Sequence, residues 1–315
     1  MSKRPLIILT GPTAVGKTSL SIELAKRIMG EIISADSMQV YKGMDIGSAK
    51  IMPEEMAGIP HHLIDILDPW EEFNVVIFQK KCKECMEGIY ERGHIPILTG
   101  GTGFYIQAVL RDIDFTANEE NTEYRRNLER MAEEKGAEYL HQMLMAVDPE
   151  AAEAIHANNI KRTIRALEFY KLTGEKISSH NEREAEKENA YNACYFVLND
   201  ERSLLYRRIE QRVDEMVAKD LVAEVSRLME TGCTRDMVAM QGLGYKEIVD
   251  HLTGKCTLDE AVYIIKRDTR HFAKRQLTWF KRENEVIWVD KPVFHYDQEE
   301  ILSYMMKHIK DKGIL

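Results

Sequence analysis

A complete phosphate-binding loop stands near the start of the chain. Residues 11–18 read Gly-Pro-Thr-Ala-Val-Gly-Lys-Thr, which satisfies the pattern GxxxxGK followed by Ser or Thr. In such a loop the glycines let backbone N–H groups turn toward phosphate oxygens, and the following helix adds the positive end of its dipole. Lysine neutralises charge, and the last hydroxyl can bind Mg²⁺. A di- or triphosphate is therefore expected on Gly11, Pro12, Thr13, Ala14, Val15, Gly16, Lys17 and Thr18, with Thr18 as the metal ligand.

The loop alone does not identify the phosphate compound. ATPases and GTPases usually hold Mg²⁺ with an acid that follows a later apolar strand. Here the apolar segment Ile95 to Leu98 is followed by Thr99, Gly100 and Gly101. This departure weakens the interpretation as an ordinary nucleotide hydrolase and leaves room for a diphosphate that serves as a leaving group.

An acid follows the second predicted strand. Asp36 comes directly after the apolar run Ile32 to Ala35. Ligands bind at the carboxyl ends of strands in doubly wound sheets, so Asp36 should lie beside the loop and could accept a proton there. An Asp at this position also suits a turn or a helix cap. Position alone is equally compatible with both roles.

Alternating strands and helices must position these residues. The patterns predict strands at residues 5–10, 31–35 and 95–98, and helices at residues 19–29 and 73–91. A further strand is predicted near residues 195–198, where the chain re-enters the core. This order predicts an α/β fold: a P-loop NTPase-like parallel sheet flanked by helices, with a helical insertion domain. The core should occupy residues 1–117, the insertion residues 118–189, and the core continuation with C-terminal helices residues 190–315.

Composition limits the class of protein. The 315 residues carry a net charge of −9, so any nucleic-acid site must be a local basic patch. The apolar run Leu6 to Leu9 is too short for a membrane span or a signal peptide. Cys82 and Cys85 form one CxxC, but the other three cysteines are scattered, and a zinc site would need a second close pair or nearby histidines. We expect a reduced, cytoplasmic protein without a membrane partner.

Several short motifs resemble those of one enzyme family. They are Ser34 to Tyr41, Gly43 to Gly47, Gly100 to Tyr105, Arg165 to Glu168, Gly242 to Tyr245 and Lys274 to Phe280. In this order they resemble the tRNA dimethylallyltransferases, also called tRNA isopentenyltransferases. The resemblance implies that a dimethylallyl group moves from dimethylallyl diphosphate to N6 of the adenosine 3′ to the anticodon (position 37), with the phosphate loop holding the prenyl diphosphate.

The resemblance also implies roles for individual residues. Asp36 is the expected general base, and Thr102 is expected at the reacting amine. Contacts with tRNA are implied for Asp36, Ser37, Met38, Gln39, Thr102, Arg125, Lys161, Arg162, Arg165, Gly244, Tyr245, Lys274, Arg275 and Gln276. The insertion should grip the anticodon stem-loop, and we expect a monomer.

Two predicted helices carry basic stripes that could meet RNA. At 100° per residue, one stripe contains Lys266, Arg270, Lys274 and Lys281, opposite Val262, Ile265, Phe272 and Trp279. The other contains Lys161, Arg162 and Arg165, opposite Ile160, Ile164 and Leu167. Each stripe taken singly also suits a solvated face. Elsewhere, Arg208 and Arg212 lie one helical turn apart and could reach the diphosphate.

Two other functions compete with prenyl transfer. A small-molecule kinase would use the same loop with ATP and a helical lid. A nucleotide-dependent RNA-binding switch would need no chemistry of its own. Neither function needs a base beside an amine-sized pocket, so the Asp36 segment and the Gly100 to Thr102 turn argue against both. Binding of ATP by the same loop stays open.

Overall fold

The computed structural model describes residues 3–115 and 123–315. The chain divides into two compact units: a core unit, formed by the residues up to Leu110 together with Ala190–Leu315, and an insertion unit, Arg111–Asn189. The boundary expected between residues 117 and 118 lies outside the described residues.

The described part of the core unit contains one six-stranded sheet in the order β3-β2-β4-β1-β5-β6, and every strand pairing is parallel. The strands are β1 Pro5–Thr10, β2 Gly30–Ser34, β3 His61–His62, β4 Ile95–Gly100, β5 Asn192–Asn199 and β6 Val286–Asp290. The predicted parallel sheet flanked by helices is confirmed. Strands β3 and β6 were not predicted. Strand β3 has only two residues, and β6 lies in a tail that was expected to be helical.

Helices account for most of the remaining described chain. They are α1 Lys17–Ile28, α2 Val75–Glu91, α3 Gly103–Leu110, α4 Glu123–Lys135, α5 Ala137–Val147, α6 Pro149–Ala154, α7 Ile160–Thr173, α8 Ile177–Glu186, α9 Arg202–Ala218, α10 Leu221–Glu230, α11 Tyr245–Leu252, α12 Leu258–Phe280 and α13 Gln298–Asp311. Across residues 3–115 and 123–315, none of these helices combines the length and hydropathy needed to cross a membrane.

Both faces of the sheet are buried, as a parallel sheet requires. Leu6 and Ile8 of β1 pack into one apolar cluster, and Ile7 and Leu9 pack into another. Successive side chains of a strand point to opposite faces, so this alternation divides the core into two layers. The continuous apolar run that predicted a buried strand is explained by burial on both sides.

The loops that follow three of the strands meet at one edge of the sheet. Strand β1 lies between β4 and β5, and β4 lies between β1 and β2. Thr10 pairs with Gly100, and Ser34 pairs with Thr99, so the three strands end at the same level. The residues that follow β1, β2 and β4 therefore meet at the carboxyl edge, where open α/β sheets bind ligands.

The insertion unit has a small core of its own. Buried side chains of four helices form it: Leu128, Leu140, Leu144, Ala151, Ile164 and Leu167. The buried Asp148 caps α6 by accepting from the Ala151 N–H (3.1 Å), and it accepts from the Ser178 hydroxyl at 2.7 Å. Buried capping of this kind holds short helices that would be marginal alone.

Candidate active site

The phosphate loop connects β1 to α1 and depends on two glycines. Gly11 has φ of +143°, and a Cβ there would lie 2.5 Å from the Leu198 carbonyl oxygen. Gly16 has φ of +96° and directly precedes α1. Side chains are disfavoured at both positions by conformation, and at Gly11 also by space. Glycine at these two positions therefore allows the loop backbone to turn toward the first turn of α1.

Lys17 lies over the loop that carries it. Its Nζ donates to the carbonyl oxygens of Gly11 (3.0 Å) and Pro12 (2.8 Å). Burial and, to a lesser degree, the nearby Arg212 together lower its pKa to about 7, although Asp36 opposes the change. A buried cation with neutral partners favours an anion beside it. An arriving diphosphate would supply that charge.

A cavity of about 1340 Å³ opens at the carboxyl edge of the sheet, entirely within the core unit. The phosphate loop, Asp36 and the turn containing Gly101 and Thr102 line it. Apolar side chains line it as well: Met38, Phe73, Tyr105, Val213, Met216 and Ile265. Polar groups for a diphosphate and an apolar wall for a hydrocarbon chain therefore occur in one cavity.

Asp36 is held in place while it faces this cavity. Its Oδ1 accepts hydrogen bonds from the backbone N–H groups of Met38 (2.8 Å) and Gln39 (3.4 Å). Its Oδ2 has no hydrogen-bond partner among the described residues. Burial raises the pKa of the carboxyl, while the two N–H groups and Lys17 oppose the rise. Asp36 thus joins a turn through one oxygen and leaves the other available to accept a proton.

The turn after β4 packs directly on the residue before Asp36. A Cβ on Gly100 would lie 2.3 Å from the Ala35 carbonyl oxygen, so only glycine fits there. The Thr102 N–H donates to that same oxygen at 3.3 Å. Thr102 precedes α3 and lines the cavity with Asp36. The sequence-predicted catalytic pair is therefore brought together by the sheet.

Of the two α9 arginines that were expected to reach a diphosphate, only one lines the cavity. Arg212 lies among the lining residues, and burial lowers its pKa. The Arg208 guanidinium instead donates to the buried Asp200 carboxylate at 2.5 Å. The prediction that both arginines reach a diphosphate is therefore supported for Arg212 alone. Arg208 belongs to an ion pair with Asp200.

The side chain of Tyr245 packs inside the protein. It is buried, and its hydroxyl donates to Glu224 Oε1 at 2.8 Å. A Cβ on Gly47 would meet its ring at 2.6 Å. Gly244 has φ of +95° and precedes α11. The ring of Tyr245 therefore packs beneath the segment 45–47, and a contact of this residue with tRNA stays a prediction.

Two residues that the sequence did not single out organise the segment 45–49. Glu224 accepts hydrogen bonds from the backbone N–H groups of Asp45, Ile46 and Gly47 at 2.8–3.1 Å. The Lys50 ammonium, whose side chain is 1% exposed, donates to the Tyr41 carbonyl and to Asp45 and Asp65. Gly47, Ser48 and Ala49 line the cavity. Both residues are identifiable only once distant parts of the chain are folded together.

The basic stripe on α12 is partly neutralised. Lys266 pairs with Asp214 at 2.6 Å, and Arg270 pairs with Glu210 at 2.5 Å. Acids of α9 thus pair with two cations of the stripe, and its contact with phosphates stays a prediction. Lys274, Arg275 and Lys281 are exposed. Arg275 also lines the cavity.

The insertion unit separates its predicted RNA contacts into two groups. Arg125 donates three hydrogen bonds of 2.5–3.0 Å to the buried Glu168, which indicates a structural role. Lys161 and Arg162 are exposed in the first turn of α7, and Arg165 is half-buried. Asn159 caps this helix through a bond to the Arg162 N–H. The exposed pair is better suited to phosphates than Arg125 is.

Thr18 is the residue of the loop that could bind a metal. It is exposed in the first turn of α1 and lines the cavity. Over residues 3–115 and 123–315, no cluster of three or more His, Cys, Asp or Glu could hold a metal ion by itself. Mg²⁺ commonly binds through one or two protein ligands together with phosphates and water. The residues therefore fit a metal that is completed by a diphosphate.

A phosphate loop, a cavity-facing carboxylate and a partly apolar wall define a phosphate-loop transferase. The family model described as IPP transferase matches residues 39–283, and that described as isopentenyl transferase matches residues 5–66. The chain belongs to the IPP transferase family.

Individual relatives agree with this assignment. The tRNA dimethylallyltransferase of Lachnoclostridium phytofermentans is 60% identical, with 99% of each chain covered. That of Carboxydothermus hydrogenoformans is 55% identical, covering 98% of this chain and 97% of the relative.

Solved structures agree as well. The tRNA isopentenylpyrophosphate transferase of Bacillus halodurans is 45% identical with a TM-score of 0.74, covering 99% of this chain and 98% of that one. A eukaryotic dimethylallyltransferase acting on tRNA is 30% identical with a TM-score of 0.79, covering 91% of this chain and 74% of that one.

Proposed function

We propose that this protein transfers a dimethylallyl group from dimethylallyl diphosphate to N6 of adenosine 37 in tRNA, the nucleotide 3′ to the anticodon. The observation that carries the proposal is that Asp36, with one free carboxylate oxygen, faces the same cavity as the phosphate loop. The relatives named for prenyl transfer to tRNA support the choice of donor and acceptor.

The donor would bind with its diphosphate on the loop and its hydrocarbon chain against the apolar wall. Backbone N–H groups, Lys17 and Arg212 would hold the phosphate oxygens. Mg²⁺ held by Thr18 would stabilise negative charge that develops on the leaving diphosphate. Leaving-group stabilisation matters here because allylic carbon–oxygen bonds ionise readily once the diphosphate is bound.

The acceptor would be an adenine extruded from the anticodon loop, because its amine cannot enter the cavity while the base is stacked. An exocyclic adenine amine is a poor nucleophile, since its lone pair is delocalised into the ring. As the N6–C1 bond forms and the C1–O bond breaks, Asp36 would accept the N6 proton and diphosphate would leave. General-base assistance of this kind contributes about 10²–10⁴-fold.

Thr102 and the Asp36 segment would orient the base. Thr102, Ser37, Met38 and Gln39 line the cavity with Asp36, so they could contact the adenine or its neighbours. Exposed Lys161, Arg162, Lys274 and Arg275 would bind phosphates of the anticodon stem-loop. We further propose a monomeric, cytoplasmic enzyme, since its proposed substrate is free tRNA.

The direct test follows the label. The protein is incubated with dimethylallyl diphosphate labelled in the hydrocarbon chain, or with γ-labelled ATP, with and without tRNA. Hydrocarbon label should enter tRNA only when both protein and tRNA are present. A matched tRNA with guanosine at position 37 should remain unlabelled. Phosphate transfer from ATP, or equal labelling of the guanosine tRNA, would reject the proposal.

A further inference from the structure

Gln276 on α12 joins the two halves of the site with one side chain. It is 6% exposed, and both of its amide atoms are occupied. Oε1 accepts from the Thr13 N–H of the phosphate loop at 2.9 Å, and Nε2 donates to the Gly101 carbonyl oxygen at 3.0 Å. The side-chain amide makes both bonds at once because it carries an acceptor and a donor on the same flat group.

The contact continues from Gly101 to the carboxylate. Residue 102, directly after Gly101, donates its N–H to the Ala35 carbonyl at 3.3 Å, and the residue directly after Ala35 is Asp36. An unbroken series of hydrogen bonds and peptide units thus runs from the donor loop to the base. Gln276 therefore links these two functional groups.

Packing leaves little freedom in this arrangement. A Cβ on Gly101 would lie 2.1 Å from Gln276 Nε2, and one on Gly103 would lie 2.2 Å from Trp279 Cδ1. Gln276 and Trp279 are three residues apart, so they cover the turn from one face of α12. The second and third glycines of the Gly-Gly-Thr-Gly motif are therefore explained by the approach of this helix.

The start of α12 is well anchored. Thr257 and Glu260 form a capping box, in which the Thr257 hydroxyl accepts from the Glu260 N–H at 3.2 Å and Glu260 accepts from the Thr257 N–H at 2.8 Å. Further along the helix Ile265 and Phe280 are buried in the core. Gln276 thus projects from a firmly held element rather than from a loop, as precise positioning requires.

We propose that Gln276 is a positioning residue that fixes the donor loop and the Asp36 side of the cavity at their reacting separation. This inference rests on the proposed prenyl transfer. The resemblance implies that Gln276 contacts tRNA. That contact is not needed to explain a glutamine at this position, since both polar atoms of its amide are bonded inside the protein. A misplacement of about 1 Å between reacting groups can cost about 10²-fold in rate.

The test compares Gln276→Met, which keeps length but removes both hydrogen bonds, with Gln211→Met, a matched change at an exposed glutamine on α9. Single-turnover transfer is measured with saturating donor and tRNA, and equilibrium affinities for tRNA and for inorganic pyrophosphate are measured separately. We expect Gln276→Met to transfer about 10–10²-fold more slowly, with both affinities within about threefold of wild type. Gln211→Met should match wild type in every respect.

Two results would overturn the inference. One is a near-normal single-turnover rate in Gln276→Met; the other is a loss confined to tRNA affinity, which would make Gln276 an RNA contact. If Gln276→Met does not fold, Gln276→Glu serves instead, because a carboxylate can accept from Thr13 but cannot donate to Gly101. That variant should also be slow at saturation. If the proposed function is wrong, the wild-type protein itself will not transfer the dimethylallyl group. If only this inference is wrong, wild type and Gln211→Met will transfer normally, and Gln276→Met will give one of the two results above.

Discussion

The Thr102 N–H donates to the Ala35 carbonyl oxygen across 3.3 Å, so the turn after β4 is fixed to the residue that precedes Asp36. Thr102 and Asp36 are distant in sequence, and pairing of β2 with β4 brings them together. The site therefore exists because adjacent parallel strands end at one level. Substitutions that preserve the sheet but alter one group should separate the roles of the residues.

Lys17→Ala should reduce transfer by about 10²-fold or more while leaving the fold intact, because it removes a charge from the diphosphate cradle. The control is Lys307→Ala, an exposed lysine on α13. Steady-state transfer and thermal melts check the prediction. A wild-type rate in Lys17→Ala would show that the loop does not hold the donor.

Diphosphate binding should depend on pH through Lys17, whose pKa burial lowers to about 7. A bound diphosphate raises this pKa, so above pH 7 binding must take up a proton and affinity falls by up to about tenfold per pH unit. Calorimetry with inorganic pyrophosphate, without Mg²⁺, over pH 6–9 measures the slope.

Lys17→Arg serves as the reference for that slope, because arginine stays charged throughout and the ligand's own titration cancels in the comparison. The wild-type protein should lose affinity more steeply than Lys17→Arg on the alkaline side. Identical slopes in the two proteins would contradict a lowered pKa at Lys17.

Replacing both Arg162 and Arg165 with Ala should weaken tRNA binding and flatten its dependence on salt, with the slope of log affinity against log salt falling by about one or two. The charge-matched control is Arg130→Ala with Lys171→Ala, two exposed cations of the same unit. Filter binding across a salt series checks this. An unchanged tRNA affinity and an unchanged salt slope would show that Arg162 and Arg165 do not contact the tRNA.

Glu224→Gln should lower the free energy of unfolding by about 1–3 kcal/mol, because an amide cannot accept all the hydrogen bonds that the buried carboxylate accepts. These bonds come from three backbone N–H groups of the segment 45–47 and from Tyr245. Urea denaturation of Glu224→Gln is compared with Glu230→Gln, an exposed change on the same helix. Equal unfolding midpoints would show that these bonds contribute little.

The sequence predicts those parts of the fold and the site that are determined by residues adjacent in the chain. The phosphate loop, strand β1 and the position of Asp36 follow from residues adjacent in sequence, so they were accessible. Strand β6 was missed because Val286–Asp290 is a short segment whose pairing with β5 is decided by distant residues.

Side-chain partners far apart in sequence were beyond the same reasoning. Helical spacing placed Lys266 and Arg270 on one face, but it could not show that Asp214 and Glu210 of another helix neutralise them. The roles of Gln276 and Glu224 likewise depend on backbone groups between 175 and 263 residues away. Motif resemblance marked the segments, while the structure separates their packing residues from those that face the cavity.

The most direct test of prenyl transfer with Asp36 as base is single-turnover transfer by Asp36→Asn across a Mg²⁺ series, with thermal melts alongside. Asparagine keeps the size and the turn hydrogen bonds but cannot accept the proton. We expect a well-folded variant that transfers about 10²–10⁴-fold more slowly at every Mg²⁺ concentration, with the loss in kcat rather than in donor KM. Recovery of rate at high Mg²⁺ would make Asp36 a metal-binding group, and near-normal turnover would make it only a turn residue; either result contradicts its role as the base.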